Sequence, residues 1–177
     1  IKENKLKRHD ELKPLKVGFL GRLDKQKNFL IIKEIRKSLE NNGLFEFDFR
    51  GSSVTDNEIN VEVNPPIYSQ DELVSYYSNI DVILHLSNYE GLPLTILEAL
   101  SCLVYPIGTD VGAISEVCST ENSTLLKLES LYPQKVIQIL KMIESDRSIL
   151  KDFLEFQKFC KYEWADKSSK ALDKILS

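Results

Sequence analysis

The chain has 177 residues, is 42% hydrophobic and 28% charged, and carries a formal net charge of −4. That length supports one domain with a sizeable core; no apolar run approaches the ~20 residues of a membrane span, and a nucleic-acid partner is not expected without a basic excess. Three cysteines without CxxC spacing (Cys102, Cys118, Cys160) and only two histidines (His9, His85) fit reduced cytosolic thiols and leave too few ligands for a His/Cys metal site.

Ile1 to Pro14 is rich in Lys and Glu and has no initiator Met or signal-like apolar core. It is expected to be a linker, with the domain proper over 15–177. Val17-Gly-Phe-Leu-Gly21 is a short apolar run ending in Gly and predicts a buried strand. From Asn28 to Glu40, Phe29, Ile31, Ile32, Ile35 and Leu39 recur with helical periodicity, and Asn41-Asn42-Gly43 is a stop. Phe45 to Phe49 predicts a second strand ending at Arg50-Gly-Ser-Ser53. Ile59 to Val63 predicts a third before Pro65-Pro66. Ser69 to Tyr77 reads as a helix, with Ser69 and Glu72 spaced as a capping box.

Asp81 to Leu86 is the most strand-like run, followed by a helix over Pro93–Cys102 and a strand over Leu103–Ile107. A short helix near Ala113–Cys118, a strand over Thr124–Leu128, and helical pattern from Tyr132 onward complete the chain. Apolar strands alternating with helices indicate a doubly wound, parallel α/β sheet covered on both faces. Ligands of such sheets bind beyond the carboxyl ends of the strands, at the turns Gly21–Lys27, Arg50–Ser53, Ser87–Pro93 and Gly108–Gly112.

Pro93 suits the first position of its helix. Gly91 and Leu92 before it offer no side-chain oxygen as a cap, so the exposed amides and the helix dipole favour an anion there. An ordinary Gly91 cap completed by water is the alternative. Thr95, Glu98 and Ser101 form one polar stripe on an otherwise apolar helix. A poorly solvated Glu98 needs donors; two vicinal ribose hydroxyls would supply them, as would a nearby Lys or Arg. Arg22, Lys25 and Lys27 gather at the first strand's end, where cations oppose the following helix dipole unless an anion lies between them. They form either a solvated cluster or, for Arg22 and Lys27, a clamp on a diphosphate. His85 reads as a packed histidine.

These residues resemble the retaining GT-B glycosyltransferases of glycosyltransferase family 4. Glu90 and Glu98 reproduce the family's Glu-x7-Glu spacing, Gly21-Arg-Leu-Asp-Lys-Gln-Lys27 is similar to its Gly-Arg-Leu…Lys segment, and Gly108 to Val117 is similar to the turn after the next strand. The likeness spans roughly 15–130, and Tyr162-Glu-Trp164 with the helix after it is similar to the C-terminal helix that crosses back to the other domain. Asn28 stands where the family usually has Gly, and Cys102-Leu-Val-Tyr-Pro106 replaces its Gly-x-Pro-Val stretch.

The resemblance implies a Rossmann-like half of a GT-B architecture with C-terminal helices, joined through residues 1–14 to an N-terminal domain. It implies a catalytic set of Glu90, Arg22 and Lys27. The donor, a nucleotide-diphosphate sugar, would be held by Arg22, Lys27, Gly91, Leu92, Pro93, Leu94, Thr95 and Glu98. The diphosphate would lie on Arg22 and Lys27, the ribose on Glu98, the transferred sugar near Glu90. Transfer would be retaining and metal-independent, with no cofactor beyond the donor substrate. An acceptor glycan or lipid-linked sugar would come through the other domain, together with peripheral membrane contact, in cytoplasmic polysaccharide biosynthesis at the inner membrane face. A related epimerase or phosphorylase, or a divergent non-catalytic doubly wound module, are the competing readings.

Overall fold

The computed structural model describes residues 5–7, 9, 13–52 and 63–157. Five strands form one parallel sheet in the order β2-β1-β3-β4-β5: β1 Leu15–Leu20, β2 Phe45–Arg50, β3 Val82–His85, β4 Tyr105–Thr109 and β5 Thr124–Leu126. Between them run α1 (Phe29–Leu39), α2 (Gln70–Asn79), α3 (Leu94–Ser101) and α4 (Ile114–Val117), followed by α5 (Pro133–Ser145) and a helical segment over 148–157, α6. The strand order turns at β1, whose neighbours are β2 on one side and β3 on the other.

Strand alternation explains why both faces are covered. Val82 and Leu84 point into the larger cluster, with Phe29, Ile32 and Ile35 of α1 and Val136, Leu140 and Ile143 of α5. Ile83 points the other way, to Tyr76, Tyr77 and Ile80 near α2 and Ala99 of α3. The expected doubly wound parallel α/β domain is therefore present. On the sequence side, near-continuous apolar runs such as Val82–His85, buried at every position, are what a two-faced strand requires.

Several boundaries shift for local reasons. β4 starts at Tyr105 instead of Leu103, because Leu103 adopts φ 60 and closes the end of α3, with Val104 N–H donating to Ala99 O. The left-handed residue after a helix frees the chain to reverse, and only then can a strand begin. α1 starts at Phe29, since Asn28 has φ 49 and belongs to the turn. β5 ends at Leu126, and Leu128–Ser130 forms a 3-10 turn. Ser69 caps α2 as its spacing predicts, with Glu72 N–H donating to Ser69 Oγ at 3.2 Å.

The strand expected over Ile59–Val63 lies, apart from Val63, outside the described residues; Asn64 makes a parallel bridge to Arg50. The Tyr162–Trp164 helix and Cys160 also lie outside them. In the N-terminal stretch, Lys5 is buried and its ammonium donates to the carbonyls of Tyr77 and Ile80 at the end of α2. A cation there complements the helix dipole. Among the described residues no helix is long and apolar enough to cross a membrane.

Candidate functional site: the crevice beside β1 and β3

At the switch between β1 and β3 the two following loops stand apart and then clasp across the gap. Asn28 donates through Nδ2 to Leu86 O at 2.8 Å and to Asn88 Oδ1 at 2.9 Å. Asn88 returns the contact, its N–H donating to Gln26 O and its side-chain amide to Lys25 O. Asn tolerates the left-handed backbone at position 28 better than most residues with a side chain, so it fills a position the resemblance assigns to Gly and adds a clasp.

The clasp brings Lys27 against Glu90. Their side chains form an ion pair and are 15% and 10% exposed. Ser87 Oγ donates to the same carboxylate oxygen, Glu90 Oε1, at 2.7 Å, and His85 Nε2 lies 3.0 Å from it. These contacts hold the Glu90 carboxyl well below the ordinary glutamate range. The largest contribution comes from the His85 hydrogen bond, burial opposes it, and Lys27 and Ser87 add to it. Glu90 is thus a fixed carboxylate near neutral pH.

Its backbone is fixed as well. A Cβ at position 112, where φ is +59, would lie 1.8 Å from Glu90 O. Only glycine allows the β4–α4 turn to press on the Glu90 loop this closely. A similar approach joins the first two turns: a Cβ on Gly51 would lie 1.9 Å from Gly21 O.

Glu98 occupies the neighbouring part of the crevice. Tyr77 donates its phenol to Glu98 Oε2 at 2.9 Å and approaches Thr95 O at 3.3 Å. Burial, then the negative charge of Glu98, pushes the Tyr77 pKa far up, so the phenol remains a neutral donor. Glu98 and Thr95 form one wall of a cleft of about 530 Å³, with Gly21, Arg22, Gly51, Ser52 and Pro66 to Gln70 around it. That volume suits a small-molecule ligand. Arg22 is 55% exposed and held toward the cleft by Asp24 (3.4 Å) and by a hydrogen bond to Gln26. Lys27 and Glu90 are not among the cleft's lining residues.

The start of α3 differs in one respect from the sequence expectation. Pro93 is the N-cap residue and not the first helical one, with φ −81 and ψ 68. Those angles make an inverse γ-turn, and Leu94 N–H accordingly donates to Leu92 O at 2.9 Å. No side chain caps the helix. Among the described residues the N–H groups of Gly91, Leu92 and Thr95 are unpaired, whereas that of Leu94 is taken. Leu92 and Leu94 expose their side chains at the rim.

Two participants escaped the sequence reading. Tyr77 lies in a largely polar helix 21 residues before Glu98, and no local pattern links them. His85 is buried as expected, yet it also touches Glu90. No group of three or more His, Cys, Asp or Glu positioned for a metal occurs among the described residues.

A parallel sheet with a crevice at its switch point, a carboxylate pair on a strand-turn-helix unit and basic residues beside it give the Rossmann-like α/β fold of GT-B glycosyltransferase C-terminal domains. The family model for Glycosyl transferases group 1 matches residues 1–155, and the chain belongs to that family. No curated protein matches the sequence. Among solved structures it is similar to the C-terminal domain of the group 1 glycosyl transferase LpcC from Francisella tularensis, at 20% identity and a TM-score of 0.68, over 89% of this chain and 91% of that one. It is also similar to HepE from Anabaena in complex with UDP and glucose, at 15% identity and a TM-score of 0.65, over 96% and 52%. A third similar structure is the pneumococcal O-GlcNAc transferase GtfA in complex with UDP and GlcNAc, at 21% identity and a TM-score of 0.63, over 93% and 36%. The chain therefore spans about half the length of HepE and about a third of GtfA.

Proposed function

We propose that this domain binds a nucleotide-diphosphate sugar for retaining, metal-independent hexosyl transfer to an acceptor hydroxyl. The observation that carries the reading is a cleft whose lining includes both Arg22 and Glu98. Arg22 can fork onto phosphate oxygens. Glu98 has one oxygen bonded to Tyr77 and the other available for a ribose hydroxyl.

Lys27 sits beside this cleft and serves the diphosphate as a point charge, with the free amides of Gly91, Leu92 and Thr95 contributing near the distal phosphate and sugar. Together they stabilise the charge that develops on the leaving nucleoside diphosphate. Pro93 and Leu94 shape the turn that presents those amides. Glu90 faces the transferred sugar, where a fixed negative charge favours the oxocarbenium-like transition state, and the acceptor attacks from the face the leaving group vacates. The acceptor, a glycan or lipid-linked sugar, enters from a domain preceding residues 1–14, which also supplies membrane contact on the cytoplasmic side in polysaccharide assembly. No cofactor other than the donor takes part.

HepE and GtfA were each solved with UDP, so uridine diphosphate is the first ligand to test. Titration calorimetry with UDP, GDP, ADP and CDP should give heat with at least one, weakened by Glu98→Ala. Silence from all four would overturn the reading.

A further inference from the structure

Three donors converge on one oxygen of Glu90: Ser87 Oγ at 2.7 Å, His85 Nε2 at 3.0 Å, and the Lys27 ammonium. Glu90 Oε2 has no hydrogen-bond partner among the described residues. Such an asymmetric grip leaves one face of the carboxylate for a ligand. We infer that His85 is a positioning residue, anchoring Glu90 by Oε1 so that Oε2 is presented to the transferred sugar; this rests on the role proposed above for Glu90.

The three holders are not equivalent once a donor arrives. Lys27 is the cation assigned to the diphosphate, and a multiply charged phosphate competes for an ammonium more strongly than one carboxylate does. Ser87 contributes a single neutral hydroxyl on a freely rotating bond. Its main chain is held from β4, where Thr109 Oγ donates to Ser87 O in a buried contact, and its Oγ lies 3.5 Å from His85 Nε2, so the same imidazole that reaches Glu90 also borders the hydroxyl.

His85 has neither weakness. It is 3% exposed and sits at the end of β3, directly opposite Gly108 of β4. The imidazole is rigid and shielded from water, so its contact with Glu90 survives the departure of Lys27. With Nε2 as donor the ring is either the Nε2–H tautomer or the imidazolium, and both can hold the carboxylate. Retaining catalysis needs the carboxylate within a fraction of an ångström of its working place, and misplacement by ~1 Å can cost about 100-fold in rate.

The test uses the intact gene product that contains this chain, with UDP as binding probe and UDP-glucose as donor. His85→Leu removes the donor, His85→Gln keeps an amide N–H at a similar reach, and Glu90→Gln removes the partner. The expected result is that His85→Leu lowers kcat by about tenfold to 100-fold, with UDP affinity and KM within about twofold, and that His85→Gln recovers most of the loss. Wild-type kcat in His85→Leu, or a fall in UDP affinity parallel to kcat, would overturn the assignment. So would equal losses in the Leu and Gln variants.

Nitrogen NMR on histidine-labelled protein gives a readout that needs neither turnover nor a folded His85 variant. The His85 Nε2 resonance should move in Glu90→Gln, and an unmoved resonance sinks the proposal. If Glu90→Gln turns over normally, the role of Glu90 itself fails, a result distinct from failure of His85 alone.

Discussion

Tyr77 on α2 donates its phenol to Glu98 Oε2 on α3 at 2.9 Å, while remaining wholly buried. This contact joins the helix that backs the cleft to the carboxylate that lines it. Replacing Tyr77 with Phe removes one hydroxyl and almost no volume. The loss of a hydrogen bond to a charged acceptor should lower stability by about 1.5–3 kcal/mol, measured by urea unfolding. UDP affinity should fall severalfold, because Glu98 is then free to turn. Unchanged affinity in a stable Tyr77→Phe variant would show that the phenol does not orient Glu98.

Gly112 is the second place where one substitution should act on the site from a distance. Alanine there meets Glu90 O at 1.8 Å, in a backbone conformation (φ +59) that disfavours any side chain. The left-handed conformation alone costs about 1 kcal/mol or more, and the clash adds to it by displacing the Glu90 loop. Gly112→Ala should lower the melting temperature, and it should reduce sugar transfer more than UDP binding. Wild-type turnover in this variant would mean that the β4–α4 turn does not set the Glu90 position.

Glu90 gives the pH dependence. Its folded pKa is depressed, first by the His85 hydrogen bond and further by Lys27 and Ser87, against the cost of burial. A depressed carboxyl contributes stability that is fully present above the unfolded value of about 4.3 and is lost as pH falls through the folded one. The stability difference between wild type and Glu90→Gln should therefore hold steady from pH ~7 to ~5 and narrow in wild type's disfavour below pH ~4. Urea titrations at neutral and acidic pH measure it. A gap that widens on acidification would contradict the assigned shift.

Arg22 separates binding from folding. Its side chain is 55% exposed and its nearest carboxylate, Asp24, is 3.4 Å away. A surface pair of this kind contributes little, so Arg22→Ala should change stability by less than about 0.5 kcal/mol. If Arg22 forks onto the diphosphate, UDP affinity should fall about tenfold, equivalent to about 1.4 kcal/mol. Calorimetry on the folded variant decides it, and an unchanged dissociation constant would remove Arg22 from the donor site.

Much of the fold was legible in the residues because its signals are local. Val82 to His85 could only be a strand buried on both faces, and Ser69 with Glu72 announced the start of α2. Boundaries shifted at Leu103, Asn28 and Pro93, and at the end of β5. Leu103 and Asn28 are left-handed and Pro93 makes an inverse γ-turn; of the three, only Asn28 has a side chain that favours the conformation it adopts. The candidate site was legible in its spacing, since Glu90 and Glu98 flank the start of one helix.

The sequence by itself determined the alternation of strands and helices, the parallel sheet that follows from it, and the carboxylate spacing that marks the family. Those are periodic or near-neighbour properties, written within one or two turns of chain. Tertiary structure alone decided which partner each carboxylate receives. Lys27 meets Glu90 across 63 residues and Tyr77 meets Glu98 across 21, contacts that exist only because strand order turns at β1 and packs α2 against α3. Hydrogen bonds have directional, few-ångström reach, so no spacing along the chain could assign them before the sheet had brought the loops together.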